Sequence, residues 1–315
     1  MPSVPVTVDN FPTVETAFQF QRTIGLAGGV NRFFCQRLPT PVDQQPVIRM
    51  QRDTLYAAGV VDISGGADLV VPDAGDRYLS VAVINEHHYT NALIHEPGTH
   101  RLDKGRFDTD HVQVVVRILA DPNDEGDLAV AHALQDQISV DAASDHPFEL
   151  PDADKADYDR LYGLLLDLGS HVPDAIGAFG SRDEVEPVRF LVNTATGWGG
   201  LNENEAVYQS APIPRPVGHF RIHLDDVPAD EFWSLSVYNR DGYFEANPYG
   251  SHNLSSVTAT PSEDGSVTID LAPEDTGDPN FVYVMDGWNY VFRLYKPHQS
   301  AIDGTWWVPE PIPVD

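Results

Sequence analysis

Apolar and polar residues alternate with a period of two through residues 218–247, and the rest of the chain is read around this stretch. Phe220, Ile222 and Leu224 alternate with Arg221 and His223. After Asp225, Asp226, Val227 and Pro228, the residues Trp233, Leu235 and Val237 alternate with Phe232, Ser234, Ser236 and Tyr238. Successive side chains of a strand point to opposite faces. The pattern therefore predicts a β-meander with one aliphatic and indole face and a second face of hydroxyls and aromatic edges. Asn239, Arg240, Asp241 and Gly242 supply the next turn.

Elsewhere the periods change. Residues 12–34 read as a helix, with Phe18, Ile24 and Leu26 on one face, followed by Gly28 and Gly29. A Pro-rich connector, LPTPVDQQP, leads to residues 48–62. Their centre carries too many charges for a plain core strand. Arg52 and Asp53 beside Tyr56 read either as a tie between strand ends or as part of a binding site. Residues 68–72 and 77–85 have hairpin spacing, and the β-branched run 112–119 is expected to close that sheet. Asp127 fits the N-cap of a helix burying Leu128, Ala131, Leu134 and Ile138. A second helix over 157–168 carries the stripe Leu161, Leu164, Leu165 and Leu168.

Residues 189–193 read as a short extended piece. The glycines of Gly197-Trp198-Gly199-Gly200 would let the backbone pass beside the Trp198 indole. After the meander, strands 255–260 and 266–271 are expected to pair around a turn at 263–265, with further strands at 282–285 and 290–295. No helix of any length is expected beyond Gly218, and the Pro-rich end lies along a surface anchored by Trp306 or Trp307. Short strands joined by turns, without helical crossovers, predict a mainly β protein of antiparallel sandwiches. The divisions expected are a β-sandwich domain over 1–145, a helical connector over 146–185 and a second β domain over 186–315.

Charge narrows the partners. Acidic residues outnumber basic ones 48 to 19, for a net charge of -29. Such a surface repels phosphate backbones and anionic lipid, so no nucleic acid or membrane partner is expected. Cys35 is the one cysteine, which excludes an intrachain disulfide and a cysteine metal cluster. His87 and His88 are adjacent, face opposite ways on a strand and poorly share a metal; His95 and His100 fit no zinc spacing. Residues 121–127 superficially suggest a calcium loop, but its twelfth position is His132 where a glutamate is needed. No metal and no cofactor are expected. The N-terminus has neither a basic n-region nor an apolar h-region, so a cytoplasmic location is expected, although a mature secreted chain would read the same.

Several blocks, in order, resemble a known pairing: domain of unknown function 1254 followed by domain of unknown function 1214. In the N-terminal half these are residues 52–56, then Asp76-Arg77-Tyr78, then Arg117 leading through Asp127-Leu128 to Leu134-Gln135. In the C-terminal half they are GWGG at 197–200 with Tyr208, DDVPADEFWSLSVYNRDGYF at 225–244, EDGSVTI at 263–269, GWNYVFRLYKP at 287–297 and DGTWWVPE at 303–310. The resemblance implies an immunoglobulin-like first sandwich and a jelly-roll second one, with helices between or beside them. It brings no activity.

Three functions are compatible with these residues. The first is a binding module for a small polar or carbohydrate-like ligand where the two sandwiches meet. Arg52, Tyr56, Trp198, Tyr208, Tyr238 and Arg293 would stack on and hydrogen-bond the ligand, and Trp233 is the aromatic most expected in the core. The second is a hydrolase or lyase pairing Asp53 with His87 or His88 as acid and base. No GxSxG, HExxH or Walker motif supports the familiar hydrolase or nucleotide routes. The third is a structural protomer of a homo-oligomer assembled through sheet faces.

Overall fold

The structure, a computed structural model, describes residues 3–45, 48–172 and 174–314. Pro46 at the end of the Pro-rich connector, Pro173 within 146–185 and Asp315 in the tail lie outside the described residues. In chain order the first half holds α1 (Phe11–Ala27), β1 (Phe34–Cys35), β2 (Thr54–Asp62), β3 (Ala67–Val71), β4 (Leu79–Asn85), β5 (Thr90–Ile94), β6 (Gly98–Leu102), α2 (Lys104–Phe107), β7 (His111–Leu119), α3 (Glu125–Gln137), β8 (Ser139–Ala142), α4 (Lys155–Gly169) and α5 (Pro187–Gly197). The second half holds β9 (Ala206–Arg215), β10 (Phe220–Leu224), β11 (Ala229–Tyr238), β12 (Asn253–Ser255), β13 (Val267–Ala272), β14 (Phe281–Tyr283), β15 (Trp288–Pro297), α6 (Gln299–Ile302) and β16 (Ile312–Pro313).

These elements form two compact units, and neither is one continuous run of chain. The first is Met1–Pro39, Thr54–Gly169 and Gly177–Leu201; the second is Thr40–Asp53, Ser170–Ile176 and Asn202–Asp315. Helix α4, inside the expected connector, belongs to the first unit, and residues 40–53, inside the expected first domain, belong to the second.

In the first unit an antiparallel sheet ordered β1-β2-β7-β4-β5 faces a smaller one ordered β6-β3-β8. Leu55, Val61, Val81, Val83, Val114 and Val116 of the large sheet pack with Leu69, Val71 and Leu102 of the small one in a single core. Two expectations are corrected here. Residues 68–72 and 77–85 are not a hairpin, because β3 pairs with β6 and β8 while β4 pairs with β7 and β5. Strand β7 does not close its sheet but lies at the centre, between β2 and β4. Burial on both faces explains its many β-branched residues.

The helices also differ in detail from their sequence patterns. Helix α1 buries Phe11, Val14, Ala17 and Phe20, not the face of Phe18 and Leu26, and ends at Gly28 with φ 78. That left-handed residue costs glycine nothing sterically. Asp124 caps α3 by accepting from Gly126 N and Asp127 N, and this frees Asp127 to pair with Arg77. In α4 only Leu165 of the leucine stripe is buried. Residues 187–197 are helix α5, not an extended piece. Gly200 is required by a ring other than Trp198: a Cβ there would lie 2.2 Å from Phe179 Cε2.

In the second unit a sheet ordered β12-β11-β15-β9 faces one ordered β14-β13-β10-β16. Trp233, Leu235, Phe292 and Leu294 from the first pack with Ile222, Leu224, Val267 and Ile269 from the second. The predicted alternation holds, but the meander does not. Strand β10 pairs with β13 and β16, and β11 with β12 and β15, so residues 225–228 carry the chain from one sheet to the other. Strand β13 likewise pairs with β10 and, in parallel, with β14, not with residues 255–260. Among the described residues the only helix after Gly218 is the single turn α6, and Trp306, not the exposed Trp307, packs on the core. The protein is mainly β, built of antiparallel sandwiches.

Candidate functional site

The sequence-predicted site residues fall into two groups, one in each unit. In the first unit His88 lies under a lid of aromatic rings. Its ring stacks on Trp198 at 5.3 Å and is flanked by Phe190 and Phe179. Gly199 N–H donates to Nε2 at 3.0 Å, and Nδ1 meets Thr194 Oγ1 at 2.8 Å. The backbone donor on Nε2 requires the proton to sit on Nδ1. Thr194 then passes its own hydrogen to Phe190 O at 2.8 Å. Burial lowers the His88 pKa to about 3, so the ring is neutral. With both nitrogens engaged, it offers no lone pair to a substrate proton. His87 meets Thr13 through Nδ1 at 3.0 Å.

The other first-unit candidates support this knot. Trp198 Nε1–H donates to Thr16 Oγ1 at 3.0 Å. Arg117 lies 5.5 Å above the Tyr56 ring, its cross-strand neighbour, and donates to Gly199 O at 2.6 Å. Tyr56 is thus a platform for Arg117.

In the second unit the hydroxyl face of β11 gathers the remaining candidates. Ser234, Ser236 and Tyr238 project to one side, opposite Trp233, Leu235 and Val237. Register places Arg293 of β15 opposite Ser234, and Asn253 of β12 opposite Ser236. Residues 40–53 dock here through their main chain: Arg293 Nη2 donates to Arg49 O at 2.6 Å and Tyr238 O–H to Met50 O at 2.6 Å. Arg293 also donates to Tyr238 Oη at 2.9 Å and to Ser236 Oγ at 3.1 Å. Gln45 exchanges two hydrogen bonds with the Phe244 main chain. Arg52 donates to Thr40 O and lies 5.8 Å above the Phe244 ring.

Asp53 ends the docked segment. Asn253 Nδ2 donates to its Oδ1 at 2.9 Å, and its own N–H is held by Gln51 Oε1 at 2.6 Å. The Asp53 residue and Arg293 are each 3% exposed, whereas Arg49, Arg52, Asn253 and Tyr208 are half-buried around them. Burial pushes the Asp53 carboxyl above its ordinary range, with the charge of Arg293 pulling it back. Burial works against the charge on Arg293, but Tyr238, Tyr295 and Asp53 around it keep it firmly protonated. Burial lowers Arg49 and Arg52, and together with the nearby Arg52 charge it lowers His252 to about 4.

Ser234 also hydrogen-bonds the Asp53 carboxyl, whereas the buried Arg49 Nε has no hydrogen-bond partner among the described residues. Buried polar groups are nearly always paired, and an unpaired one costs about 1–3 kcal/mol. The structure thus brings Arg52, Asp53, Tyr208, Tyr238 and Arg293 together in the second unit, and Tyr56, His87, His88 and Trp198 in the first. Arg49, Ser234 and Asn253 are the site residues that sequence reasoning missed. The run of Ser234, Ser236 and Tyr238 on one strand face was the available signal; nothing local marks Arg49.

Among the described residues no group of three or more His, Cys, Asp or Glu side chains could hold a metal ion, and no helix is long and apolar enough to cross a membrane. Solved structures share the fold. The VPA0106 protein from Vibrio parahaemolyticus is 19% identical with a TM-score of 0.75, the match covering 98% of each chain. An uncharacterized protein from Burkholderia cenocepacia is 14% identical with a TM-score of 0.55, over 95% of this chain and 88% of that one. No curated protein matches. Residues 30–142 match the family model described as protein of unknown function (DUF1254), and residues 215–299 match protein of unknown function (DUF1214). The chain is therefore one of the proteins that carry these two families in that order, N-terminal then C-terminal.

Proposed function

We propose that the second unit binds a small polyhydroxylated molecule of the sugar or polyol class, through Asp53, Ser234 and Asn253 and the half-buried residues around them. The observation that carries this reading is the buried Arg49 Nε–H, a donor without an acceptor among the described residues, in the cluster that also holds Asp53 and Ser234. A hydroxyl both donates and accepts, so neighbouring hydroxyls on one ring complement a carboxylate beside an N–H donor. Tyr208, packed beside Tyr238 and Phe244, supplies a flat apolar wall of the kind that receives a sugar's C–H face. Arg293 and Tyr238 serve by holding the carbonyls of residues 49 and 50 in place.

A thermal-shift series over neutral and acidic sugars and polyols tests the proposal on the full chain. A ligand present at about a hundredfold excess over its Kd raises the melting temperature by roughly 5–10 °C in a protein of this size. The Asp53→Asn variant should lose most of that rise. A panel that leaves the melting temperature unmoved overturns the reading.

A further inference from the structure

We infer that the ligand is an anion: a hydroxycarboxylate such as a sugar acid, its carboxylate facing Arg49 and Arg52. This rests on the binding reading above and adds the charge of the ligand to it.

The cluster is a positive island in a strongly acidic chain. Arg52 and Arg293 act on the single carboxylate of Asp53, and Arg49 lies near Arg293, in a protein with 19 basic residues against 48 acidic ones. The three differ in how far their charge is spent. Arg293 is engaged by Arg49 O, Ser236 and Tyr238, so its donors are committed to the protein. Arg52 donates to the neutral Thr40 carbonyl and has the charge of Asp53 nearby. Arg49 has a buried Nε with no acceptor among the described residues. A buried guanidinium without a counter-ion is unfavourable unless an anion completes it. The planar fork of arginine also matches a carboxylate better than it matches a neutral hydroxyl.

Backbone conformation points the same way. Arg49 has φ 52, the left-handed region that non-glycine residues avoid. It is fixed there from both sides, its N–H by Gly242 O at 2.8 Å and its carbonyl by Arg293. Strain of this kind persists where the surroundings over-determine it, and it concentrates at ligand clamps. The Asp53 carboxyl already takes hydrogen bonds from Ser234 and Asn253, so the group of this cluster still without a partner is the cationic Arg49 Nε.

The experiment compares matched pairs on the full chain at constant ionic strength: sodium D-gluconate against sorbitol, and sodium D-glucuronate against D-glucose. The acids are expected to raise the melting temperature more than their neutral partners, and added salt to weaken the difference. Arg49→Gln should erase the advantage of the acid and weaken its binding at least tenfold. Arg52→Gln is the second variant and should reduce the same advantage. Equal shifts from acid and neutral partner overturn the inference and leave the polyol reading standing. No shift from any compound overturns both. An acid-specific shift that persists undiminished in both arginine variants also overturns it, because the anion then sits elsewhere.

Discussion

Each unit buries a polar cluster, and the two clusters close their hydrogen-bond accounts differently. Around His88 four donors meet acceptors in sequence: Gly199 N–H to the ring, the ring to Thr194, Thr194 to Phe190 O and Trp198 to Thr16. Around Asp53 and Arg293 the network is as dense, yet the Arg49 Nε–H remains open among the described residues. A closed network specifies a fold and has nothing left to offer a ligand; an open one keeps directional valences that only another molecule can fill. Residue types alone would suggest the opposite assignment, since histidine beside tryptophan looks more like chemistry than serine beside arginine.

The largest test of this contrast is Arg293→Met. It removes three hydrogen bonds and leaves Asp53 buried without its main counter-charge, so destabilisation of about 3–5 kcal/mol is expected in urea unfolding of the full chain. A loss below roughly 1 kcal/mol would mean that residues 40–53 are held by other contacts. His88→Leu keeps the volume but strands the Gly199 N–H and Thr194, for an expected loss of about 2–3 kcal/mol.

Acid should act through His88 as well. Its folded pKa, about 3, lies below the ordinary 6.5, so the unfolded chain takes up the proton first. Stability is then lost as pH falls from 6.5 toward 3, and that slope should be missing in His88→Leu. Gly200→Ala presses a methyl group into the Phe179 ring and should cost about 1–3 kcal/mol, read as a lowered melting temperature. The smallest effect is expected for Asp53→Asn, within about 1 kcal/mol at neutral pH. Its pH signature has the opposite sign to that of His88. The folded Asp53 pKa is raised, so its contribution is full below 3.8 and declines as pH rises through the folded value. The variant should therefore gain on the wild type as pH increases.

Strand faces were legible in the sequence because a period of two survives any pairing scheme: Trp233, Leu235 and Val237 face the core, and Ser234, Ser236 and Tyr238 face away. Pairing partners were not legible. Residues 225–228 look like a hairpin turn whether the chain returns beside β10 or crosses to the other layer, and only the packed core decides. Helix α5 was misread because Phe190, Leu191 and Val192 are a short apolar run, which fits either element. Half of the candidate site could be named from its aromatic and arginine residues. Arg49 and Asn253 could not, because they reach Asp53 and Arg293 from distant parts of the chain, through a docked segment and an edge strand.

That docked segment decides what can be cut from this protein. A fragment beginning at Asn202 would retain both sheets of the second unit but would be missing the backbone carbonyls on which Arg293 and Tyr238 spend their hydrogens. Transplanting or expressing the C-terminal half therefore requires carrying residues 40–53 along, on a tether or as an added peptide. The gene cannot be divided at a single point without leaving one product incomplete.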